Sequence, residues 1–250
     1  MCNNLSMPAG SIRARVRAEM ISEIKAAARR HLEIDGANLS LRAVARDMGM
    51  VSSALYRYFA SRDDLLTALI LDAYNALGTT VEGADAGVTD RGDLRSRWFA
   101  AARAIRVWAL RHPAEYALLF GSPVPGYAAP PDTIAAAART SLVLVQILVD
   151  GHAAGVIEPA TARTAADERK SESHREPPQL GAAVRRDLAA VIADVAPGLP
   201  EELLLLGMTG WLQLFGIVSF ELFGQLNNVI EARPEFFDQQ MELMCELMGI

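Results

Sequence analysis

An all-α fold is predicted by three observations. Of the 250 residues 51% are hydrophobic and 22% charged, with alanine and leucine abundant and few β-branched runs, which favours helices over strands. Apolar residues recur at i, i+3, i+4 and i+7 in one segment after another. The breaks between these segments are glycine and proline clusters. The chain is long enough for one large or two modest domains, each with a substantial core.

The first helix follows an amino-terminal arm, residues 1–12, and carries Val16, Met20, Ile21, Ile24, Ala27, Ala28, His31 and Leu32 on one stripe until Gly36 stops it. On that stripe His31 reads as a core histidine. Ser40 offers a cap for a short second helix with Leu41, Val44, Ala45 and Met48 apolar, and Gly49 suits the left-handed residue that ends it. A third helix starts at once. At 100° per residue Leu55 and Phe59 point inward with Val51 nearby, while Ser53 and Arg57 point outward, flanked by Ala54 and Tyr56. Ser52 lies toward the inward side, where it offers a cap, and Tyr58 lies near the inward arc. Ser61 with Asp64 makes a capping box for a longer fourth helix over about 62–81.

The stretch GADAGVTDRGD, residues 83–93, is polar and glycine-bearing, and the domain boundary is placed there. Helices are predicted beyond it over Leu94 to Arg111, briefly from Pro113, from Asp132 as cap to about Gly151 or Gly155, and over 180–195, 200–230 and 234–248. Residues 158–179 hold almost no large apolar side chain and are expected to form a mobile loop. The predicted organisation is an arm (1–12), a helix-turn-helix domain (13–60), a connecting helix (61–82) and a helical body (83–250).

Composition limits what such a protein can be. Cys2 and Cys245 stand at opposite ends, so neither a disulfide framework nor a cysteine metal cluster is predicted, and the setting reads as reducing and cytoplasmic. No secretory signal opens the chain. The uncharged run over 203–220 is flanked by Glu201, Glu202 and Glu221 rather than by basic anchors, and reads as a buried helix rather than a membrane span. Residues 1–70 hold 10 Lys and Arg against 7 Asp and Glu, while the remaining 180 hold 14 against 23. Phosphates are therefore repelled by the body and tolerated by the amino-terminal segment, where Arg13, Arg15 and Arg17 lie.

Two short helices joined by a glycine turn form a helix-turn-helix, whose second helix suits a major groove. Through LSLRAVARDMGMVSSALYRYFASRDDLL, within residues 13–75, the sequence resembles the TetR family of bacterial transcriptional repressors. The resemblance implies that Arg42 contacts a base or phosphate, and that Ser52, Ser53 and Ala54 form the groove-facing start of the recognition helix. It also implies that Tyr56 and Tyr58 hydrogen-bond the DNA backbone and that Arg62 is the basic residue at the next helix start. Arg57 joins this set by its outward position. Hydroxyls bond phosphate oxygens and arginine bonds guanine or phosphate, so the chemistry agrees. Without Asn or Gln on this helix, affinity is expected to come largely from the DNA backbone.

The body resembles, more loosely, the carboxy-terminal domain of one branch of that family, marked by a tryptophan, a histidine-glycine pair and a late glutamate. Trp211, Gly216 and Glu221 fit, whereas Phe215 stands where the histidine would be. Trp98, Trp108, Tyr116, Phe120, Met208, Trp211, Phe215 and Glu221 are the candidate contacts for a small, apolar effector. Aromatic residues at helical spacing are also ordinary core, and Glu221 in an apolar helix needs a partner or solvent. Residues 201–250 offer more apolar surface than their own core needs, and Gly207, Gly210, Gly216 and Gly224 are expected to let helices of two copies approach, making a homodimer.

The resemblance implies a repressor of a double-stranded DNA operator, released by its effector, without cofactor or metal. The alternatives are a helical enzyme or a protein-binding adaptor with an incidental helix-turn-helix. An enzyme lacks support in a nucleophile elbow, a metal-spaced His/Cys cluster or a phosphate-cradling loop.

Overall fold

The computed structural model describes residues 9–36, 38–158 and 180–250, and every regular element among them is helical. The helices are α1 (Ala9–Asp35), α2 (Leu41–Asp47), α3 (Ser52–Leu55), α4 (Arg62–Ala86), α5 (Leu94–Arg111), α6 (Pro113–Phe120), α7 (Ile134–Ala153), α8 (Ala182–Val195), α9 (Glu201–Leu222) and α10 (Arg233–Met248). The loop expected over 158–179 lies, but for Glu158, outside the described residues. The expected arm does too, except that Ala9–Ile12 already belong to α1, where nothing in their sequence breaks the helix.

These residues form two compact units. The first holds the chain up to Tyr74 together with His112–Ile134, and the second holds Asn75–Arg111 with Ala135–Ile250. Of the polar stretch 83–93, residues 83–86 close α4 and residues 87–93 form the turn to α5 within the second unit, while α6 packs on α1 in the first.

The first unit is built on the stripe Ile24, Ala27, Ala28 and Leu32 of α1, all buried against Leu41, Val44 and Ala45 of α2, Leu55 and Phe59, and Leu65, Leu66 and Leu69 of α4. Each of the larger side chains contributes about 1.5–3 kcal/mol by leaving water. Caps define the ends. The Ala43 amide donates to Ser40 Oγ at 3.4 Å and the Asp64 amide to Ser61 Oγ at 3.0 Å. Gly49 ends α2 at φ +66, and the Met50 amide returns to the Ala45 carbonyl at 2.8 Å, which is the tight turn of the helix pair.

Two local expectations are corrected. Val51 is not near the core but 70% exposed, because it is the extended residue preceding α3 (φ −72, ψ 139), where a helical wheel does not apply. For the same reason Val51, not Ser52, occupies the cap position, and no side chain caps α3.

In the second unit α9 packs on α5, α8 and α10, and α10 also packs on α5. Two glycines of α9 face their own chain. A Cβ on Gly207 would lie 2.2 Å from Leu148 Cδ1, and one on Gly210 would lie 3.0 Å from the Trp98 ring. These two positions therefore serve packing within the chain rather than approach between copies. Gly224, at φ +82, follows the end of α9, so the helix stops at Leu222 and not near residue 230. Asp132 sits in a 3-10 turn, Pro131–Thr133, just before α7.

Among the described residues two helices are long and apolar enough to cross a membrane by length and composition, α7 with its 3-10 turn and α9, and a third of each window is buried inside the chain.

Candidate nucleic-acid interface and ligand cavity

The α2–turn–α3 corner is held from below by Leu55, which is fully buried, and by Phe59. With those side chains turned inward, helical geometry turns Ser53 and Arg57 outward, and both are exposed together with Tyr56 and Arg42. Ser52, Ala54, Tyr58 and Arg62 are half-buried. After four residues α3 tightens into turns, with the Arg57 amide on the Ala54 carbonyl at 3.3 Å and the Tyr58 amide on the Leu55 carbonyl at 2.9 Å.

Two of the predicted contacts have structural work of their own. Tyr58 packs against the core, and the Arg17 guanidinium lies 5.1 Å from its ring centroid. Arg17 Nη2 also donates to the Arg57 carbonyl at 3.2 Å, so α1 grips the end of the recognition segment. Arg17 was visible in the sequence only as one of three basic residues, because its partners lie about forty positions away. Arg62 Nε donates to the Leu39 carbonyl at 3.0 Å, which ties the start of α4 to the entrance of α2. Elsewhere in this unit Lys25 and Arg29 hold Asp72, and His31 faces Asp47 at 3.9 Å.

The second unit contains a cavity of about 310 Å³ between α7, α8 and α9, lined among others by Ala138, Ser141, Val145, Leu148, Val195, Leu204 and Gly207. Leu142, Val191 and Met208 also line it and are exposed, so the space opens to the surface. Of the eight candidate effector contacts the cavity includes two, Met208 and Trp211.

The other six are placed elsewhere. Trp98 is core beneath Gly210, and Trp108 is buried on α5. Tyr116 and Phe120 belong to the first unit, with ring centroids 4.9 Å apart. Phe215 packs on Trp211 at 5.8 Å without lining the space. Glu221 has both oxygens committed, to Arg106 Nε at 2.7 Å and Nη2 at 2.6 Å. An apolar helix buries this carboxylate only because the pairing offsets its desolvation.

Away from the cavity, arginines join the helices of the second unit. Arg139 of α7 reaches Glu82, Asn75 and Thr79 of α4. Arg97, fully buried, bonds Asp85 at 2.8 Å and Asp150 at 2.7 Å. Burial alone pushes the Asp85 carboxyl up, but hydrogen bonds and charge from Arg97 and Arg91 outweigh it and hold the group below the usual carboxylate range.

This arrangement of an exposed helix-turn-helix corner and a helical second unit meets its counterparts among known proteins. The family described as "Bacterial regulatory proteins, tetR family" matches residues 24–69, and "Tetracyclin repressor-like, C-terminal domain" matches residues 98–244. The chain belongs to the TetR family. The crystal structure of the regulatory protein SCO4313 is 31% identical, with a TM-score of 0.67, over 96% of this chain and 100% of that one. A TetR-family regulatory protein from Rhodococcus RHA1, at 16% identity and a TM-score of 0.58 over 92% of this chain and 96% of that one, shares the fold alone. HTH-type transcriptional regulator Rv1816 of Mycobacterium tuberculosis is 51% identical over 129 residues, 51% of this chain and 53% of that protein. HTH-type transcriptional regulator Mb1846 of Mycobacterium bovis matches to the same extent, so the chain spans about half the length of the curated relatives it matches.

Proposed function

We propose that this TetR-family chain is a cytoplasmic, homodimeric transcriptional repressor that binds a double-stranded DNA operator and is released from it by a small apolar effector. The observation that carries the reading is the exposure of Arg42, Ser53, Tyr56 and Arg57 together on a helix-turn-helix whose inward residues are fully buried. Family membership supports DNA binding as the use of that surface.

A second copy is supported by the outer faces of the last two helices. Leu212, Phe220 and Phe223 are exposed along α9, Leu243 and Leu247 along α10. Gly216 lies in the same α9 row with open space where a Cβ would be, so a partner helix can come close there. Two helices from each copy would bury these side chains in a four-helix contact, and the two heads would then read two half-sites.

In this mechanism α4 begins in the first unit and ends in the second, so the chain itself links the head to the helix that Arg139 of α7 grips. An effector that fits one arrangement of the body better shifts the spacing of the heads, and by reciprocity the operator weakens the effector to the same degree.

A mobility-shift titration with DNA from the region upstream of its own gene tests the reading. Retention of that DNA by the dimer, and its release by a lipophilic host extract, is expected. The reading fails if no fragment of a genomic DNA library is retained.

A further inference from the structure

The cavity between α7, α8 and α9 offers an effector almost nothing polar. Among the described residues, Ser141 is the single hydroxyl-bearing side chain in its lining, and none of these lining residues is ionisable. Trp211 lines the space, and its Nε1 is buried without a hydrogen-bond partner among the described residues. The walls are helical, so their main-chain amides and carbonyls are engaged within the helices.

The rim does not supply what the interior lacks. Of the arginines carried by the walls, Arg139 pairs with Glu82 and Arg185 with Glu201, while Arg186 is exposed beside Asp187. Asp194 is exposed on α8 between the lining residues Val191 and Val195, in a body that is acidic overall. A carboxylate inside would be desolvated without a partner, and a carboxylate left at the mouth would meet like charge.

We infer that this cavity selects a neutral aliphatic molecule, of the class of medium-chain alcohols, ketones and esters, and rejects the corresponding acid. Its one polar group pairs with the Ser141 hydroxyl, and its chain lies along Leu144, Val145, Leu148 and Met208. At about 30 Å³ for each small group, as in liquid water, the volume holds roughly ten non-hydrogen atoms. A ten-carbon chain is therefore the matched probe.

The inference rests on the proposed effector role of this cavity, and direct binding separates the two. Titrating the full-length protein at neutral pH with 1-decanol below its solubility limit and with decanoate below its micelle concentration, and reading heat together with tryptophan fluorescence, gives two affinities. Decanol is expected to bind about tenfold or more tightly than decanoate, a difference of about 1.4 kcal/mol. Val145→Trp, which fills the space, should abolish decanol binding with the helical circular dichroism unchanged. Should that variant unfold, Ser141→Phe serves the same purpose. Decanoate binding within threefold of decanol overturns the inferred class while leaving an effector cavity in place. Decanol binding that survives a folded, filled variant lies outside the cavity and overturns the inference. Binding of neither overturns the inference and the effector role with it.

Discussion

The outer face of the helix-turn-helix and the interior of the second unit use arginine in opposite ways. In the first, Arg42 and Arg57 stand exposed on the outer face of the helix-turn-helix, where they carry little of the packing. In the second, Arg97 is fully buried between two aspartates, Arg106 clasps Glu221 with two bonds, and Arg139 joins α7 to α4. The same side chain is left exposed in one place and is a clamp in the other. Stability and recognition should therefore come apart when arginines are replaced one at a time.

The largest effect is expected at Arg97. Arg97→Met keeps much of the volume but leaves Asp85 and Asp150 without their shared cation; Arg91 still meets Asp85 and Asp150 is 38% exposed, so the cost falls below the roughly 3–5 kcal/mol of breaking a fully buried pair, at about 2–3 kcal/mol. Urea unfolding at neutral pH should show a loss of that size. Its pH dependence carries the sign of the mechanism. Because the Asp85 carboxyl is held below its ordinary value, its contribution is complete above about pH 4 and disappears as the pH falls through the folded-state value. The gap between wild type and variant should therefore narrow in acid. A gap that widened there would show that the pairing with Asp85 is not what is lost.

That contrast also explains what the sequence could reveal. Ser40, Gly49 and Ser61 act within a few residues of themselves, so the helix ends around the corner were legible, and so was the inward turn of Leu55 and Phe59. The body is assembled by contacts across more than fifty positions, such as Arg97 with Asp150 and Arg106 with Glu221, and periodicity says nothing about which helices meet. Aromatic character marked Trp98 and Tyr116 as candidates for a ligand, yet both are ordinary core. The cavity walls were missed because Ala138, Ser141, Val145 and Leu148 are unremarkable residues on α7. A glutamate in an apolar helix was the one legible sign in the body of an interaction to come, and Arg106 is its partner.

In the first unit the order of effects should reverse. Arg42→Ala removes an exposed guanidinium for which the structure gives no core role, so the midpoint of thermal unfolding should shift by no more than about 0.5 kcal/mol of stability allows. Operator affinity should fall by about 1–3 kcal/mol, as for the loss of an arginine contact to a base. A variant that kept full affinity would remove Arg42 from the interface. One that lost affinity and stability together would make it another clamp, and the contrast between the units would fail.

The smallest expected effect is also the most discriminating. Tyr56 is 45% exposed and Tyr58 packs on the core under Arg17, although both were expected to reach the DNA backbone. Tyr56→Phe deletes one hydroxyl and leaves the ring, so a lost phosphate bond should weaken the operator complex by roughly 0.5–1.5 kcal/mol without changing unfolding. Tyr58→Phe tests whether a half-buried ring on this face still offers its hydroxyl to DNA, because the ring's packing and its contact with Arg17 survive the change. Equal losses from the two substitutions would mean that both hydroxyls reach phosphates. A loss at Tyr56 alone would assign Tyr58 to holding α3 in place, the head's counterpart of the clamps in the body. No loss at Tyr56 would leave Ser53, Arg57 and Arg42 to supply the contacts, and measuring the salt dependence of each variant would then show which of them meets phosphate.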